Sequence, residues 1–252
     1  MLSVIIITRN EEQKIRDCLE SVSWADEIVV VDSGSSDATM DICREYTDKV
    51  FYQEWKGFGP QKNHALGLAT HEWVLSVDAD ERITGPLKDE ILAVIEKSES
   101  DQLSAYEIPR RSRFCGRYMK HCGWYPDYVL RLFRREEARF TNDLVHERVV
   151  TTGKKGHFKH AMLHLSVENL DQAINKMNLY SSMAAREKFE RGESASLLKA
   201  ISRGGWTFFR VYLLKLGFLD GRQGFMLSVA NAGGTYYKYA KLAEFGLGEK
   251  GA

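Results

Sequence analysis

Two aspartates separated by one residue, Asp78 and Asp80, follow the largely apolar segment 73–77. A strand that ends in such a pair delivers both carboxylates to one point at the edge of a sheet. Hard oxygen ligands suit Mg²⁺ or Mn²⁺, which take few protein ligands and complete their coordination with substrate phosphates. The alternative for an isolated Asp-x-Asp is a solvated turn. The apolar segment before the pair favours a metal site.

A second polar group of residues, 32–37, follows the apolar run 28–31. A carboxylate at the end of a strand can accept a hydrogen bond from a nucleobase N–H or a ribose hydroxyl, and Gly34 lets a ligand approach the backbone closely. The alternative is a polar loop in which Ser36 or Asp37 caps the next helix. We expect Asp32 to contact a ligand and Asp37 to be structural.

Strands alternate with helices in the segment that holds these groups. The predicted strands are 3–8, 27–31, 49–53 and 73–77, and the predicted helices begin at Asn10, Ala38 and Gln61. This alternation predicts an α/β fold with a mainly parallel, open sheet flanked by helices. Ligands bind such sheets at the carboxyl ends of the strands. The segments 8–10, 32–37 and 78–80 should therefore meet at one edge.

Composition excludes several classes of protein. The 252 residues carry 35 basic and 35 acidic side chains, so the basic surplus of a nucleic-acid-binding protein is missing. Four cysteines are too few for a disulfide scaffold. The first ten residues lack the pattern of a signal peptide, and no segment has the apolar length of a membrane span. A cytoplasmic protein with reduced thiols is expected.

Four segments, 3–12, 32–37, 59–63 and 77–80, occur in an order that resembles the family 2 glycosyltransferases of GT-A fold. That fold is Rossmann-like. A later block, 124–127, 131–134 and 145–147, is similar to a bacterial subgroup that includes lipopolysaccharide core β-1,4-glucosyltransferases. The resemblance covers about residues 1–190 strongly and the remainder more loosely.

The resemblance implies roles for residues along the predicted edge. The metal, Mn²⁺ or Mg²⁺, would be bound most directly by Asp80, with Asp78 beside it and His146 as a further ligand or as an orienting histidine. Arg131 and Arg134 would contact the donor phosphates, unless they are surface charges on an amphipathic strand. The residues implied to bind the nucleotide sugar are Thr8, Asn10, Glu12, Asp32, Lys62, Asn63, Asp78, Ala79 and Arg131.

An inverting transfer needs a general base for the acceptor hydroxyl. Asp127 follows Trp124, Tyr125 and a proline, where a carboxylate can be held beside a sugar stacked on an aromatic ring. We assign Asp127 as the base and the two aromatic residues as acceptor contacts. Many family members have two adjacent acids here, whereas this chain has Pro-Asp, so Glu147 is the rival.

Three histidines, His157, His160 and His164, invite a zinc interpretation. No cysteine pair accompanies them, and in a strand these spacings would scatter the rings over both faces. We therefore expect ordinary structural histidines, with a substrate contact still open for His164.

Domain boundaries are expected near residues 108 and 190. Residues 1–190 would form the GT-A domain, with a donor half at 1–108 and an acceptor half at 109–190. Residues 191–252 would form a helical extension. The stretch 206–219 is aromatic, aliphatic and basic, which fits a helix lying in the headgroup layer of a membrane. The alternative is a helical pair that packs on the catalytic domain or on a second subunit.

The sequence and its resemblance together favour a metal-dependent glycosyltransferase, and the resemblance implies that the transfer is inverting. It would move a hexose, with glucose and UDP-glucose implied by the subgroup, to a glycolipid acceptor such as the lipopolysaccharide inner core. It would lie peripherally on the cytoplasmic face of the inner membrane. One alternative is a nucleotidyltransferase, which would need a glycine-rich loop after the first strand that residues 8–12 lack. A non-catalytic, membrane-associated nucleotide-sugar binding module is another.

Overall fold

The structure is a computed structural model that describes residues 1–96, 103–141 and 147–248. The chain forms two compact units. The first comprises Met1–Arg110 and Asp127–His164, and the second comprises Arg111–Pro126 and the residues from Leu165 onward. Both units are therefore built from separate stretches of the chain.

Most strands belong to the first unit and the long helices to the second. The strands are β1 (Leu2–Thr8), β2 (Glu27–Asp32), β3 (Val50–Tyr52), β4 (Trp73–Asp78), β5 (Glu81–Arg82), β6 (Ala105–Phe114), β7 (Arg117–Tyr118), β8 (Asp127–Arg134), β9 (Ala138–Phe140), β10 (Val149–Thr151), β11 (Lys155–His157) and β12 (Met162–Val167). The helices are α1 (Ile15–Val22), α2 (Thr39–Arg44), α3 (Phe58–Leu68), α4 (Gly85–Ile95), α5 (Leu170–Glu190), α6 (Leu197–Phe209) and α7 (Gly221–Gly248), with a π-helical turn at Arg210–Leu214 and 3-10 turns at Arg135–Glu137 and Gly217–Asp220.

The sheet of the first unit has the strand order β3-β2-β1-β4-β8-β6. The first four strands are parallel, whereas β8 is antiparallel to both of its neighbours. The short strand β5 pairs with β12, which puts His164 opposite Glu81. The predicted α/β fold, with a mainly parallel open sheet flanked by helices, is confirmed.

Alternate residues of the central strands fill two hydrophobic layers, because successive side chains of a strand point to opposite faces. In β1, Val4 and Ile6 join the layer that contains the buried side chains of α1 and α4. Ile5 joins the other layer, with Ala65 and Leu66 of α3. Both faces of β1 are buried, which explains its continuous apolar sequence.

The first helix begins later than its sequence pattern indicated. It starts at Ile15, and Asn10 has a φ of 53°. The Asn10 side-chain oxygen accepts a hydrogen bond from the backbone N–H of Ser36 at 2.8 Å. Asparagine tolerates left-handed backbone better than most residues. Asn10 therefore closes a turn at the end of β1 instead of starting α1.

The second unit groups α5 with the C-terminal helices. Its limits therefore differ from the expected domain boundary at residue 190, which would separate α5 from those helices. Polar and aromatic contacts join α5 to α7. Lys241 donates a hydrogen bond to the Asn178 side chain at 2.8 Å, and the rings of Phe189 and Phe245 meet edge to face with centroids 5.5 Å apart. None of the described helices combines the length and the apolar composition that crossing a bilayer would take.

Glu27, at the start of β2, is a buried carboxylate that holds three chain segments together. It accepts hydrogen bonds from the backbone N–H and the hydroxyl of Thr70, at 2.8 and 2.9 Å, and from Ser3 and Lys49. Burial alone would raise the pKa of Glu27, but the hydrogen bonds from Lys49, Ser3 and Thr70 outweigh it and lower the pKa from 4.5 to about 2.

We predict that Glu27→Gln lowers the free energy of unfolding at pH 7 by about 2 to 3 kcal/mol, because a depressed carboxyl pKa is a stability contribution. That contribution is complete above pH 4.5 and is lost as the pH falls towards 2. Urea unfolding at pH 7 and pH 3 measures it. Glu45→Gln, which removes an exposed ion pair with Arg16, serves as the control and should cost less than about 1 kcal/mol. A loss for Glu27→Gln that is equal at both pH values would contradict the account.

Candidate active site

The carboxyl ends of β1, β2 and β4 lie side by side. Thr8 pairs with Asp32 across β1 and β2, and Ile7 pairs with Asp78 across β1 and β4. The polar segments that follow these strands therefore lie at one edge of the sheet, as predicted from the alternation of strands and helices. We call this edge the rim.

Buried ion pairs run along the rim. One oxygen of Asp78 lies 2.9 Å from the Lys62 ammonium, and the other lies 2.5 Å from the Arg131 guanidinium. Arg131 also binds Glu81, at 2.6 Å, and Lys62 also binds Glu147, at 2.9 Å. The side chains of Arg131 and Glu81 are 7% and 0% exposed. Water and salt therefore screen this pair far less than a surface pair.

The network continues from Glu81 to the start of β8. Arg110 lies 3.6 Å from Glu81 and donates two hydrogen bonds to one oxygen of Asp127, at 3.0 and 2.7 Å. Glu81 also accepts a hydrogen bond from the backbone N–H of Asp78 at 3.0 Å. Asp127, the predicted base, is 41% exposed at its side chain, whereas its rival Glu147 is 18% exposed. The network thus joins Asp78 to Asp127 through buried charge.

In the ion-pair network among the described rim residues, carboxylates outnumber the Lys and Arg side chains that they contact. The carboxylates are those of Asp78, Asp80, Glu81, Asp127 and Glu147, and the Lys and Arg side chains in contact with them are Lys62, Arg110 and Arg131. Clustered charge of one sign in a partly enclosed place attracts counter-ions. A divalent cation is the kind of ligand that would neutralise this excess.

Both aspartates of the Asp-x-Asp pair are held in the ionised form. Burial alone would raise the pKa of Asp78, but the charges of Arg131 and Lys62 outweigh it and hold the pKa well below its usual range. Burial also opposes ionisation of Asp80, and the hydrogen bond from His164 brings its pKa below the ordinary value. Neither carboxylate has to lose a proton at neutral pH before it can bind a cation.

His164 lies directly beside Asp80. Its Nε2 atom is 3.3 Å from a carboxylate oxygen, and the two side chains are 16% and 24% exposed. The sequence predicts a structural histidine at this position, with a contact to substrate as the alternative. His157 and His160 each lie 3.4 Å from a carboxylate of their own, Glu107 and Glu90. The three histidines therefore have separate partners. Among the described residues, no group of three or more His, Cys, Asp or Glu side chains is arranged around a common point for a metal.

The loop after β2 is held by its own side chains. Asp32 is 2% exposed, and its carboxylate accepts hydrogen bonds from the backbone N–H groups of Gly34 and Ser35 at 2.7 and 2.8 Å. Glu12 accepts one from the backbone N–H of Ala38 at 3.1 Å. These contacts shape the rim in the absence of ligand. The predicted contacts of Asp32 and Glu12 with a nucleoside stay predictions.

Thr8 and Asp37 differ in how their oxygens are used. Asp37 accepts a hydrogen bond from the backbone N–H of Thr39 at 3.0 Å, which is the structural role expected of it. Thr8 is 5% exposed, and its hydroxyl has no hydrogen-bond partner within residues 1–96, 103–141 and 147–248. An unsatisfied buried hydroxyl costs free energy. It is therefore a candidate contact for a ligand at the rim.

Asn63 and Ala79 are tied to main chain. The Asn63 amide donates to the carbonyl of Phe140 and accepts from its N–H, both at 2.9 Å, so it fixes β9 against α3. Ala79 is 6% exposed, and its carbonyl accepts a hydrogen bond from Arg82 at 3.0 Å. Their direct contact with a nucleotide sugar stays a prediction.

The two arginines predicted to contact phosphate are in different places. Arg131 is buried at the rim, so the alternative of a surface charge does not apply to it. Arg134 pairs with Trp73 at the amino end of β4, with its guanidinium 4.9 Å from the ring centroid. The other end of β4, at Asp78, is about 16 Å away along the strand. The prediction that Arg134 binds phosphate at the rim is therefore wrong.

The predicted acceptor contacts belong to the second unit. The ring of Trp124 meets that of Phe114 edge to face, with centroids 5.8 Å apart, and Tyr125 follows it in the chain. Their contact with an acceptor stays a prediction. His146, named above as a metal ligand, lies outside the described residues.

Comparisons with known proteins identify the family of this chain. Residues 3–160 match the family described as Glycosyl transferase family 2. The lipopolysaccharide core biosynthesis glycosyltransferase LpsC of Rhizobium meliloti is 32% identical over 96% of this chain and 91% of its own. The uncharacterized glycosyltransferase RT0209 of Rickettsia typhi is 30% identical over 98% of this chain and 88% of its own. The crystal structure of S. aureus TarS 1–349 in complex with UDP is 16% identical in sequence and has a TM-score of 0.49. The match covers 98% of this chain and 91% of that one.

We predict that Arg131→Met lowers the free energy of unfolding by about 3 to 5 kcal/mol, because the fully buried Glu81 loses its nearest cation and Asp78 keeps only Lys62. The double variant with Glu81→Gln should lose less than the sum of the two single losses, since the second change removes one of the stranded charges. Urea unfolding measures all three variants. Arg16→Met, which breaks the exposed pair with Glu45, is the control. Strict additivity, or a loss as small as that of the control, would show that the network does not stabilise the rim.

Proposed function

The chain belongs to glycosyl transferase family 2, and from that premise we propose that this glycosyltransferase is metal-dependent and inverting. It moves glucose from UDP-glucose to a membrane-anchored glycolipid of the lipopolysaccharide inner core type. The observation that carries the proposal is the ion-pair network of the rim, which holds Asp78 beside two buried cations. The similarity to the Rhizobium meliloti enzyme of lipopolysaccharide core biosynthesis supports the acceptor class.

Lys62 and Arg131 bind the donor diphosphate in this proposal. Both side chains are at least nine-tenths buried and are held by carboxylates before any ligand arrives. Such preorganised cations stabilise charge without first paying for side-chain ordering. The entering diphosphate binds the same two cations beside Asp78, which keeps its own contacts with them. Thr8, whose buried hydroxyl has no hydrogen-bond partner among the described residues, is proposed to bind the nucleoside half at the same rim.

The residues at the rim fit Mn²⁺ or Mg²⁺. Asp80 offers a carboxylate oxygen 3.3 Å from the imidazole Nε2 of His164, close enough for both to reach one ion. These ions accept few protein ligands and fill the remaining positions with water and substrate phosphates. The two oxygens of Asp78 are each bound by a cation. Asp78 therefore contributes charge, and Asp80 with His164 would hold the ion, whose chemistry is to stabilise the negative charge of the departing diphosphate.

Asp127 acts as the general base. The acceptor hydroxyl oxygen attacks the anomeric carbon, the bond from that carbon to the diphosphate oxygen breaks, and the hydroxyl proton passes to Asp127. UDP leaves with the electron pair of the broken bond. Arg110 binds one oxygen of Asp127 and so orients the carboxylate. Asp127 is the more exposed of the two candidates, which favours it over Glu147, whose carboxylate is bound to Lys62.

The acceptor determines where the enzyme works. A glycolipid assembled in the inner leaflet would be met on the cytoplasmic face of the inner membrane, and we propose peripheral attachment there. Confining enzyme and acceptor to one surface raises their effective concentration. Trp124 and Tyr125 are proposed to stack on the acceptor sugar, since aromatic faces suit the apolar faces of sugar rings.

Two other functions make different predictions. A nucleotidyltransferase would release pyrophosphate from a nucleoside triphosphate, and the loop after β1 has no glycine for a triphosphate to lie against. A binding module without catalysis would bind the donor and leave it intact. The partly exposed carboxyl group of Asp127, held by Arg110, favours catalysis over either alternative.

We predict that membranes carrying truncated lipopolysaccharide accept radiolabelled glucose from UDP-glucose when Mn²⁺ is present, and that EDTA abolishes transfer. Asp80→Asn should lose both transfer and the Mn²⁺-dependent rise in melting temperature that UDP produces. Asp127→Asn should keep that rise but transfer about 10²- to 10⁴-fold more slowly, the usual contribution of a general base.

Glu147→Gln is the matched variant for the choice of base. If Glu147→Gln loses transfer as severely as we expect of Asp127→Asn, and Asp127→Asn itself stays active, then Glu147 is the base and Asp127 is not. Replacing UDP by GDP, ADP or CMP in the melting experiment tests the donor base. Transfer that survives EDTA would overturn the proposed metal dependence, and UDP binding without transfer to any acceptor would favour the binding module.

A further inference from the structure

The outer face of α6 and of the turns that follow it is unusually apolar. Ten large hydrophobic side chains between residues 197 and 219 are exposed by two fifths or more: Leu197, Leu198, Ile201, Trp206, Phe209, Leu213, Leu214, Leu216, Phe218 and Leu219. Exposed apolar side chains that cluster in one segment mark an interaction surface more often than singly scattered ones do. We call these residues the α6 face.

The inner side of the same segment shows that the exposure is not a packing defect. Ala200, Gly204, Thr207 and Val211 are buried at helical spacing. A side chain at Gly204 would lie 3.1 Å from Tyr236, so α6 packs closely on α7 through small residues. The larger apolar residues point the other way. The sequence thus directs its small side chains inward and its aromatic and branched side chains outward, the reverse of an ordinary surface helix.

Within residues 197–222, the charged side chains that are not fully buried have one sign. Five basic side chains lie between residues 197 and 222: Lys199, Arg203, Arg210, Lys215 and Arg222. The one acid of this stretch, Asp220, is fully buried. Its carboxylate accepts hydrogen bonds from the backbone N–H groups of Lys120 and His121, at 3.1 and 2.8 Å. No acidic side chain within 197–222 therefore offsets the exposed basic ones.

Trp206 and Phe209 give the α6 face its aromatic centre. They are 53% and 42% exposed, and their rings stack with centroids 5.6 Å apart. Lys199, Arg203 and Arg210 follow one another at spacings of four and seven, which puts them along one side of the helix. Aromatic and branched side chains bordered by Lys and Arg are the composition of helices that lie in the headgroup layer of a bilayer.

We propose that the α6 face docks onto a bilayer that contains anionic phospholipids. A second copy of this chain would bring the same positive side chains against each other, whereas anionic headgroups complement them. The described helices include none that could cross the bilayer, so the attachment lies in the surface of the membrane. The inference rests on the proposed function in one respect: docking would serve to keep the enzyme beside a lipid-linked acceptor.

Vesicle co-sedimentation of the full chain tests the proposal. It should bind vesicles of phosphatidylcholine with phosphatidylglycerol at least about tenfold more tightly than vesicles of phosphatidylcholine alone. The double variant Trp206→Ser/Phe209→Ser should bind the anionic vesicles about tenfold or more weakly. Arg203→Gln/Arg210→Gln should reduce the preference for anionic lipid. Val150→Ser, which changes an exposed apolar residue of the first unit, is the matched control and should bind normally.

Two further readouts separate the possible failures. The variants should keep the wild-type melting temperature and the wild-type rate on a water-soluble acceptor fragment. Wild-type protein that ignores anionic vesicles overturns the proposal, as does unchanged binding by Trp206→Ser/Phe209→Ser. Self-association in sedimentation velocity that this variant abolishes would assign the α6 face to a second copy. Vesicle binding without any sugar transfer by the wild type would instead contradict the proposed function and leave the docking surface intact.

Discussion

The guanidinium of Arg131 binds Asp78 and Glu81 at the same time, and the arrangement of the rim depends on this contact. Without this guanidinium, Glu81 would keep only the more distant Arg110 and Asp78 only Lys62, and a buried charge that loses its partner is far more costly than a paired one. Burial would lower the pKa of Arg131, but the two carboxylates raise it above its ordinary value, so the charge is permanent. The contact therefore fixes the end of β4 against β8, which supplies Arg131.

In the proposed reaction, this contact also connects two roles, donor binding and proton abstraction, whose residues are spread widely along the sequence. Glu81 contacts the guanidinium groups of both Arg131 and Arg110, and Arg110 orients Asp127. In the proposed reaction, the donor phosphates lie at one end of the network and the base at the other. A change at Glu81 should disturb both, although it touches neither substrate. Glu81 and Arg110 are thus positioning residues, which hold the proposed binding and catalytic side chains without contacting the substrates themselves.

The parts of the molecule that the sequence could predict are those set by local pattern. Buried apolar runs such as 28–31 identify parallel strands, and the polar residue after each run lies at the edge where ligands bind. The place of His164 could not be found this way, because it depends on the antiparallel pairing of β12 with β5. Arg134 was misplaced for a related reason. It belongs to the same strand as Arg131. Because that strand, β8, runs antiparallel to β4, the three steps from Arg131 to Arg134 lead away from the rim.

In the proposed reaction, Asp80 and His164 would hold a divalent ion beside the nucleoside diphosphate. Anomalous diffraction at the manganese edge, from crystals grown with Mn²⁺ and UDP, tests this assignment. We expect one strong peak next to the Asp80 carboxylate and His164 Nε2, with Lys62 and Arg131 in contact with the phosphates. A UDP-bound crystal with no peak there, or with manganese held by other side chains, would show that the assignment is wrong.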